Sequence, residues 1–230
     1  PKTAWPPTSR FFTAAGDNVY FTAYDGTVSR IDTTSLEITG KLNLGGFPEA
    51  LTNANGKLYI NQSKYYTMPD GGNTISVVDI ATFTKTKDLE VLLNPSEVSL
   101  TADNGKVYFV SVGDYADLRP TLQCIDPQTD IVTQICLASK VANKGNKMYI
   151  LYSEWGVEDS KEISVLDLTT GVKTKFIDSK QFSNPYTIDI DPTSGNVYIG
   201  DVSYSSMSDM YVFDSEGNLI NTFETGIGTA

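Results

Sequence analysis

The chain has 230 residues, 40% of them hydrophobic, and a formal net charge of −11; it can build a core but offers no basic face to nucleic-acid phosphates. It contains no histidine, which excludes Ser-His-Asp and Cys-His catalysis, His-ligated zinc and the usual neutral-pH proton shuttle. No apolar stretch approaches the roughly 18 residues of a membrane-spanning helix, and no charged-then-apolar leader opens the chain, so any export signal has been removed or was never there.

From the N-terminus, the linker proline Pro7 precedes a first strand signal, Ser9–Ala14. A turn leads into Val19-Tyr20, a short loop carries Tyr24, an apolar run ends at Ile31-Asp32, and a last strand signal covers Ile38–Leu44. The same order then returns four times. Strand A recurs as Glu49–Ala54, Glu97–Ala102, Lys140–Ala142 and Tyr186–Ile190. Strand B carries Leu58-Tyr59, Val107-Tyr108, Met148-Tyr149 and Val197-Tyr198. Strand C ends at Val78-Asp79, Ile125-Asp126, Leu166-Asp167 and Phe213-Asp214. Strand D covers Lys85–Val91, Ile131–Leu137, Val172–Ile177 and Leu219–Glu224. The tyrosines stand 39, 49, 41 and 49 residues apart and the aspartates 47, 47, 41 and 47. A period near 45 residues with four short strands per unit and no helical periodicity predicts an all-β fold, a β-propeller of four-stranded antiparallel blades.

Residues 1–230 read as a single propeller domain with five blades, at about 8–44, 48–91, 95–137, 140–178 and 185–225. Pro7, Pro48, Pro95 and Pro185 share one place, the linker from strand D to the next strand A, and the C-terminal Gly226-Ile227-Gly228 looks like that linker starting again. The chain thus begins and stops in phase with the repeat. Either five blades close a small ring, or this is a segment of a longer propeller.

Within a blade, Asn55-Gly56, Asn104-Gly105 and Ser194-Gly195 suit tight A–B hairpins, which require positive φ. Apolar residues on both faces of strand C predict burial from both sides, as in a stack of blades. The repeated aspartate opens the C–D hairpin, where its carboxylate accepts backbone N–H groups from two residues on; this turn role outweighs a metal or catalytic reading. Asp189-Ile190-Asp191 lacks the full oxygen cage that Ca²⁺ demands, so no metal and no resident cofactor is expected. Cys124 and Cys136 fall on neighbouring strands in a register that does not place them opposite each other, which favours two separate thiols over a disulfide.

The stretches Tyr24-Asp25-Gly26-Thr27-Val28-Ser29-Arg30-Ile31-Asp32, Gly46-Phe47-Pro48-Glu49-Ala50, Asn73-Thr74-Ile75-Ser76-Val77-Val78-Asp79, Asn94-Pro95, Tyr211-Val212-Phe213-Asp214 and Phe223-Glu224-Thr225-Gly226 resemble the YVTN-type (YncE-like) β-propellers, especially the branch among surface proteins of gut Bacteroidetes. The resemblance implies an exported protein, lipid-anchored at the cell surface of the outer membrane or periplasmic, with about seven blades, five of them visible here. That branch includes surface lipoproteins that capture cobalamin and pass it to a TonB-dependent outer-membrane transporter. No family motif assigns ligand residues position by position.

In a propeller the B–C loops and D–A linkers emerge on one face, where function concentrates over a rigid scaffold. Here those loops are unequal and aromatic. Ligand contacts are expected from Tyr24, Tyr65, Tyr66, Asp114, Tyr115, Arg119, Trp155 and Tyr204 in the B–C loops, and from Phe47 and Tyr186 at the linkers, beside Asn94 and Asn184. Tyr and Trp present broad apolar faces with one polar handle, suited to a flat, polar-edged ligand such as a corrinoid or a sugar. The expected function is therefore non-enzymatic capture of a nutrient, cobalamin being the most specific candidate. A glycan ligand or a scaffold role in an outer-membrane uptake system are the alternatives. A Ca²⁺-dependent lactonase or lyase stands behind these, because fold alone warrants little.

Overall fold

A computed structural model describes residues 9–63, 72–114, 116–154, 157 and 160–229. Its strands form five four-stranded sheets. Blade 1 holds β1 (Ser9–Ala15), β2 (Asn18–Ala23), β3 (Thr27–Asp32) and β4 (Ile38–Asn43). Blade 2 holds β5 (Phe47–Ala54), β6 (Lys57–Ser63), β7 (Thr74–Asp79) and β8 (Thr84–Glu90); blade 3 holds β9 (Pro95–Thr101), β10 (Val107–Ser111), β11 (Thr121–Asp126) and β12 (Ile131–Leu137). Blade 4 holds β13 (Lys140–Lys144), β14 (Lys147–Tyr152), β15 (Glu162–Asp167) and β16 (Lys173–Ile177); blade 5 holds β17 (Pro185–Ile190), β18 (Val197–Asp201), β19 (Met207–Phe213) and β20 (Leu219–Ile227). Each blade is a meander in which consecutive strands are neighbours. Among the described residues the helical content is one 3-10 turn, Ser179–Gln181, capped by the Asp178 carboxylate. The fold is all-β, built of propeller blades, as the repeat predicts.

Burial falls toward strand D in every blade. All five residues of β10 are buried, whereas β8, Thr-Lys-Thr-Lys-Asp-Leu-Glu, is exposed at nearly every position. A charged, lysine-bearing edge strand resists pairing with other chains. At the other edge the prolines lie inside strand A, which starts one or two residues earlier than the sequence pattern suggests: β9 and β17 begin on Pro95 and Pro185, and β5 includes Pro48. Strand A has a free edge, so a residue without an N–H breaks no ladder, and the register shifts just after Pro48 and Pro185 accommodate it.

The chain falls into two compact units, one carrying blades 1 to 3 and the other blades 4 and 5. In the first, Tyr20 and Val28 of blade 1 pack with Leu51, Leu58, Ile60 and Val78 of blade 2. The opposite face of blade 2, with Tyr59, Ile75 and Val77, packs with Val107, Phe109 and Ile125 of blade 3. In the second unit, Tyr149, Leu151 and Ile163 pack with Val197, Ile199 and Phe213. The repeated tyrosines are core residues: Tyr20, Tyr59, Tyr108 and Tyr149 are 0%, 0%, 4% and 2% exposed.

The repeated aspartates hold the C–D hairpins. Asp32 Oδ1 accepts the N–H of Thr34 (3.0 Å) and Ser35 (2.7 Å), and Asp167 Oδ1 those of Thr169 and Thr170 (both 2.8 Å). Asp79, Asp126 and Asp214 bind the N–H groups of Thr82, Gln128 and Glu216 in the same way. At the end of each hairpin the backbone turns left-handed, at Leu36 (φ 59°), Phe83 (φ 53°), Asp130 (φ 58°), Gly171 (φ 73°) and Gly217 (φ 88°).

In blades 2, 3 and 5 the chain reaches back from that position to the preceding blade. The Phe83 ring lies 5.9 Å from that of Tyr20 and under the Arg30 guanidinium at 5.0 Å. Gly40 makes room for it, since a Cβ there would stand 2.8 Å from the ring. Asp130 accepts hydrogen bonds from Lys57 Nζ (2.9 Å) and the Tyr59 hydroxyl (2.7 Å), and pairs with Lys87 Nζ at 2.7 Å. At Gly217 the backbone itself is the neighbour: a Cβ would sit 2.9 Å from the Phe176 carbonyl oxygen.

Asp191 also serves a turn, accepting the Thr193 N–H at 2.7 Å. Cys124 is buried and Cys136 half-buried, and no disulfide joins them. Burial pushes the Cys124 thiol above its ordinary pKa.

Candidate functional site

The B–C loops and D–A linkers are tied together before any ligand is considered. Asn94 Nδ2 donates to the Gly113 carbonyl (2.8 Å) and the Asn94 carbonyl accepts the Val112 N–H (2.9 Å). In blade 5, Asn184 repeats this with Val202, at 3.2 and 3.0 Å. In blade 4, Ser139 bonds the Ser153 carbonyl and N–H at 2.8 and 3.1 Å. The residue closing each linker thus clips the loop that leaves strand B, giving Asn94 and Asn184 a framing role beside the ligand role the sequence suggests.

In the first unit, the rim segments of blades 1 and 2 meet around an ion pair. Arg10 Nη2 lies 2.7 Å from Glu49 Oε2, and Ser63 Oγ donates to Glu49 Oε1 at 3.2 Å. The Tyr24 ring stacks under the same guanidinium, 4.5 Å from ring centroid to Cζ. Glu49 is only 8% exposed, so this charge-assisted contact is partly desolvated and orients Tyr24 rather than leaving it loose. Phe47 begins β5 two residues before Glu49 and is half-buried. In the blade 3 loop the Asp114 carboxylate accepts the N–H groups of Ala116 and Leu118, both at 2.9 Å. Those donors, Leu118 first, hold its pKa below the ordinary carboxylate range. Asp114 therefore shapes its own loop. Arg119 is exposed, and its carbonyl accepts the Thr121 hydroxyl at 2.9 Å.

In the second unit, B–C and D–A segments line a concavity of about 1120 Å³ whose walls include Glu154, Lys161, Asn184, Asp201, Ser203 and Tyr204. The Asp201 carboxylate accepts the backbone N–H groups of Ser183 and Asn184, fixing the linker beneath the hollow. Lys161 Nζ donates to the carbonyls of Phe182 (3.0 Å) and Ser183 (3.2 Å). Asp209 stands opposite Asp201 in the strand register, a like-charge pair that disfavours the ladder locally. Burial first, then these two carboxylates, push the nearby Tyr211 phenol above its ordinary pKa. Hydroxyls crowd the floor: Ser203 Oγ and Ser206 Oγ are 2.8 Å apart, and Ser208 Oγ accepts the Ser203 N–H at 3.0 Å. Tyr204 lines the same hollow and is 62% exposed. Tyr186 lies nearer the linker, its ring 5.8 Å from Lys140 Nζ.

Of the aromatic residues expected to meet a ligand, Tyr65, Tyr66, Tyr115 and Trp155 lie outside the described residues. Tyr24 packs under Arg10, Phe47 begins β5, and Tyr204 lines the concavity. Sequence reasoning missed Arg10 and Glu49, 39 residues apart, because nothing local links them. It also missed the Ser203–Ser208 floor, although serine at four of those six positions was a visible signal. Among the described residues no three acidic or cysteine side chains converge where they could hold a metal ion.

No family model matches the chain, and no curated protein does. Among solved structures it is similar to hydrazine synthase of Kuenenia stuttgartiensis, with a TM-score of 0.71 at 14% identity, over 96% of this chain and 66% of that one. It is similar to BamB of Moraxella catarrhalis, with a TM-score of 0.58 at 15% identity, covering 93% and 60%. The computationally designed protein Ika8 matches with a TM-score of 0.58 at 15% identity, covering 94% and 61%. The chain therefore spans 60–66% of the length of these matched proteins. At such identities the likeness shows the fold, and the hydrazine synthase and BamB matches are β-propellers.

Proposed function

We propose that this chain is a non-enzymatic binding module of an exported, surface-attached protein, and that it captures a nutrient ligand at the B–C and D–A rim. The concavity of blades 4 and 5 carries this reading. It joins an exposed aromatic plate, Tyr204, to a hydroxyl-lined floor whose backbone is locked by Asp201 and Asn184. Such a pre-formed hollow with a few fixed polar groups is what small-molecule sites have in common. The Asp201 carboxylate and the Lys161 ammonium are occupied by backbone groups, so these two position loops.

The resemblance to the YVTN-type surface branch makes a corrinoid the first ligand, with a TonB-dependent transporter as the receiving partner. Isothermal calorimetry of the protein with cyanocobalamin tests it: heat and co-elution are expected, and Tyr204→Ala should weaken binding roughly three- to tenfold, the loss of one aromatic contact. An absence of heat, or equal affinity in the variant, defeats the corrinoid reading at this site. A neutral glycan is the second reading, favoured by the serine-rich floor beneath a single ring. A glycan array separates the two. Pull-down from native membranes tests the partner, since a stand-alone binder comes down without a transporter.

A further inference from the structure

Blades 2 and 3 carry one Gln–Ser pair near the end of strand B, with the two residues exchanged. Gln62 stands opposite the linker proline Pro48 and bonds Ser76 on strand C; Ser111 stands opposite Pro95 and bonds Gln123 on strand C. In blade 3 the D–A linker closes the pair. Gln123 Nε2 donates to Ser111 Oγ (2.7 Å), Ser111 Oγ to the Leu92 carbonyl (2.8 Å), and the Leu92 N–H to Gln123 Oε1 (3.2 Å). In blade 2 that last bond is missing. Gln62 Nε2 donates to Ser76 Oγ (3.1 Å), whose own proton goes to the acceptor-only Asp88 carboxylate (2.7 Å), so the amide cannot turn round. Gln62 is 7% exposed, and among the described residues its Oε1 has no hydrogen-bond partner. A buried acceptor without a donor is costly.

The linker of blade 2 has the missing donor turned elsewhere. Leu44 and Val91 open the two linkers alike, their N–H groups bonding the Gly26 and Asn73 carbonyls, both at 2.9 Å. Gly45 therefore matches Leu92, but its N–H donates to the exposed Asn43 Oδ1 at 2.9 Å. Gly45 and Gly46 are left-handed (φ 71° and 63°); Leu92 and Leu93 are not, and the left-handed residue of their linker is Asn94 (φ 57°). Glycine adopts either hand readily, so residues 45 and 46 can take the form of Leu92 and Leu93, which turns the Gly45 N–H toward Gln62. The linker is already in reach, since a Cβ on Gly46 would stand 2.7 Å from Gln62 Oε1. Phe47 opposes the change: it would take the left-handed place of Asn94, a conformation asparagine accepts more easily than phenylalanine.

We infer that residues 45–47 form a two-position strap at the rim of blades 1 and 2. In the position seen, the Gly45 N–H bonds Asn43; in the other it caps Gln62 Oε1 and Phe47 turns. The strap is tied to the Arg10–Glu49 ion pair, because Ser63 Oγ reaches both the Phe47 carbonyl (3.5 Å) and Glu49 Oε1 (3.2 Å). Closing releases Ser63 to Glu49. A ligand that touches Phe47 selects one position to the extent that it binds the two unequally.

Hydrogen exchange of the Gly45 amide, followed by NMR on the 230-residue chain, tests this with Asn43→Ala. Removing an acceptor ordinarily speeds exchange of its donor. Here the strap should close, and the amide should exchange about tenfold more slowly as it passes from an exposed bond to a buried one. Adding Gln62→Met takes away the second acceptor, and exchange should then be faster than in the wild type. Core resonances of Tyr20 and Tyr59 report whether each variant is folded; should the double variant not fold, the sign of the change in Asn43→Ala decides alone. Exchange that is unchanged or faster in Asn43→Ala overturns the inference, and is the result a fixed water on Gln62 would give. Slow exchange that survives Gln62→Met overturns it as well.

Discussion

The same left-handed position at the end of each C–D hairpin is filled by Leu36, Phe83, Asp130, Gly171 and Gly217, so one backbone need meets five side-chain contexts. The cost of a left-handed non-glycine residue is about 1–2 kcal/mol wherever it stands; what differs is the return. Phe83 gains the Tyr20 ring and the Arg30 guanidinium, whereas Leu36 faces solvent. Glycine at the two positions should therefore act in opposite directions. Leu36→Gly is expected to leave stability unchanged or raise it by up to about 1 kcal/mol. Phe83→Gly should lower it by roughly 1–3 kcal/mol, since lost aromatic packing exceeds the relieved strain. Urea midpoints of both variants at low protein concentration check this; equal shifts would show that the hairpin residue has no part in blade packing. The aspartates opening the hairpins were legible as turn residues from their spacing. The residue that closes the hairpin was not, because its side chain acts on another blade.

Between elements, two junctions meet the same geometric demand with different chemistry. Asp130 has its side chain 6% exposed and gathers Lys57, Lys87 and the Tyr59 hydroxyl. Burial pushes its pKa up, but the hydrogen bonds from Lys87, Lys57 and Tyr59 outweigh burial and hold it below the ordinary value. Asp130→Asn should cost roughly 2–4 kcal/mol, below the upper end for a buried pair because Lys87 remains half in water. A double-mutant cycle with Lys57→Met should return a coupling energy; simple additivity would mean the pair does not hold blade 3 to blade 2. Gly217→Ala, by contrast, adds a methyl 2.9 Å from the Phe176 carbonyl at φ 88°. Thermal unfolding should show a loss of roughly 2–3 kcal/mol, and wild-type stability would mean that this hairpin can shift away from blade 4. Strand positions were legible because alternation and turn residues are local. Strand A starts earlier than the pattern suggests because a proline at a free edge breaks no ladder.

Over the whole molecule, the acidic turns set the response to pH. Backbone N–H groups of Ser35, Thr82 and Thr170 are the first cause holding Asp32, Asp79 and Asp167 below the ordinary carboxylate pKa, and the Asn218 side chain is the first at Asp214. A carboxyl with a depressed folded-state pKa stabilises the fold above its unfolded value, about 3.9. That contribution is lost as pH falls through the depressed value. Stability should thus be level from about pH 5 upward and decline below about pH 4. Asp32→Asn and Asp167→Asn should flatten the decline; an acid limb equally steep in both variants would place its origin elsewhere. The far-ultraviolet circular dichroism signal across that range is the measurement.

By itself the sequence determined the class of this molecule: a five-fold recurrence of apolar alternation, hairpin dipeptides and turn aspartates leaves four-stranded blades as the packing solution, since each blade must bury both faces. It also indicated the loops where residues do not repeat. Only the tertiary structure decided which of those residues meet. Arg10 and Glu49 are 39 residues apart yet form the ion pair that orients Tyr24, and Ser203, Ser205 and Ser206 line one hollow with Tyr204. Asp114, which reads as a ligand contact, commits Oδ1 to its own loop. The physical reason is the same in each case. Turn and strand preferences are set by a residue and its near neighbours, whereas a site is set by which loops the packed blades bring side by side.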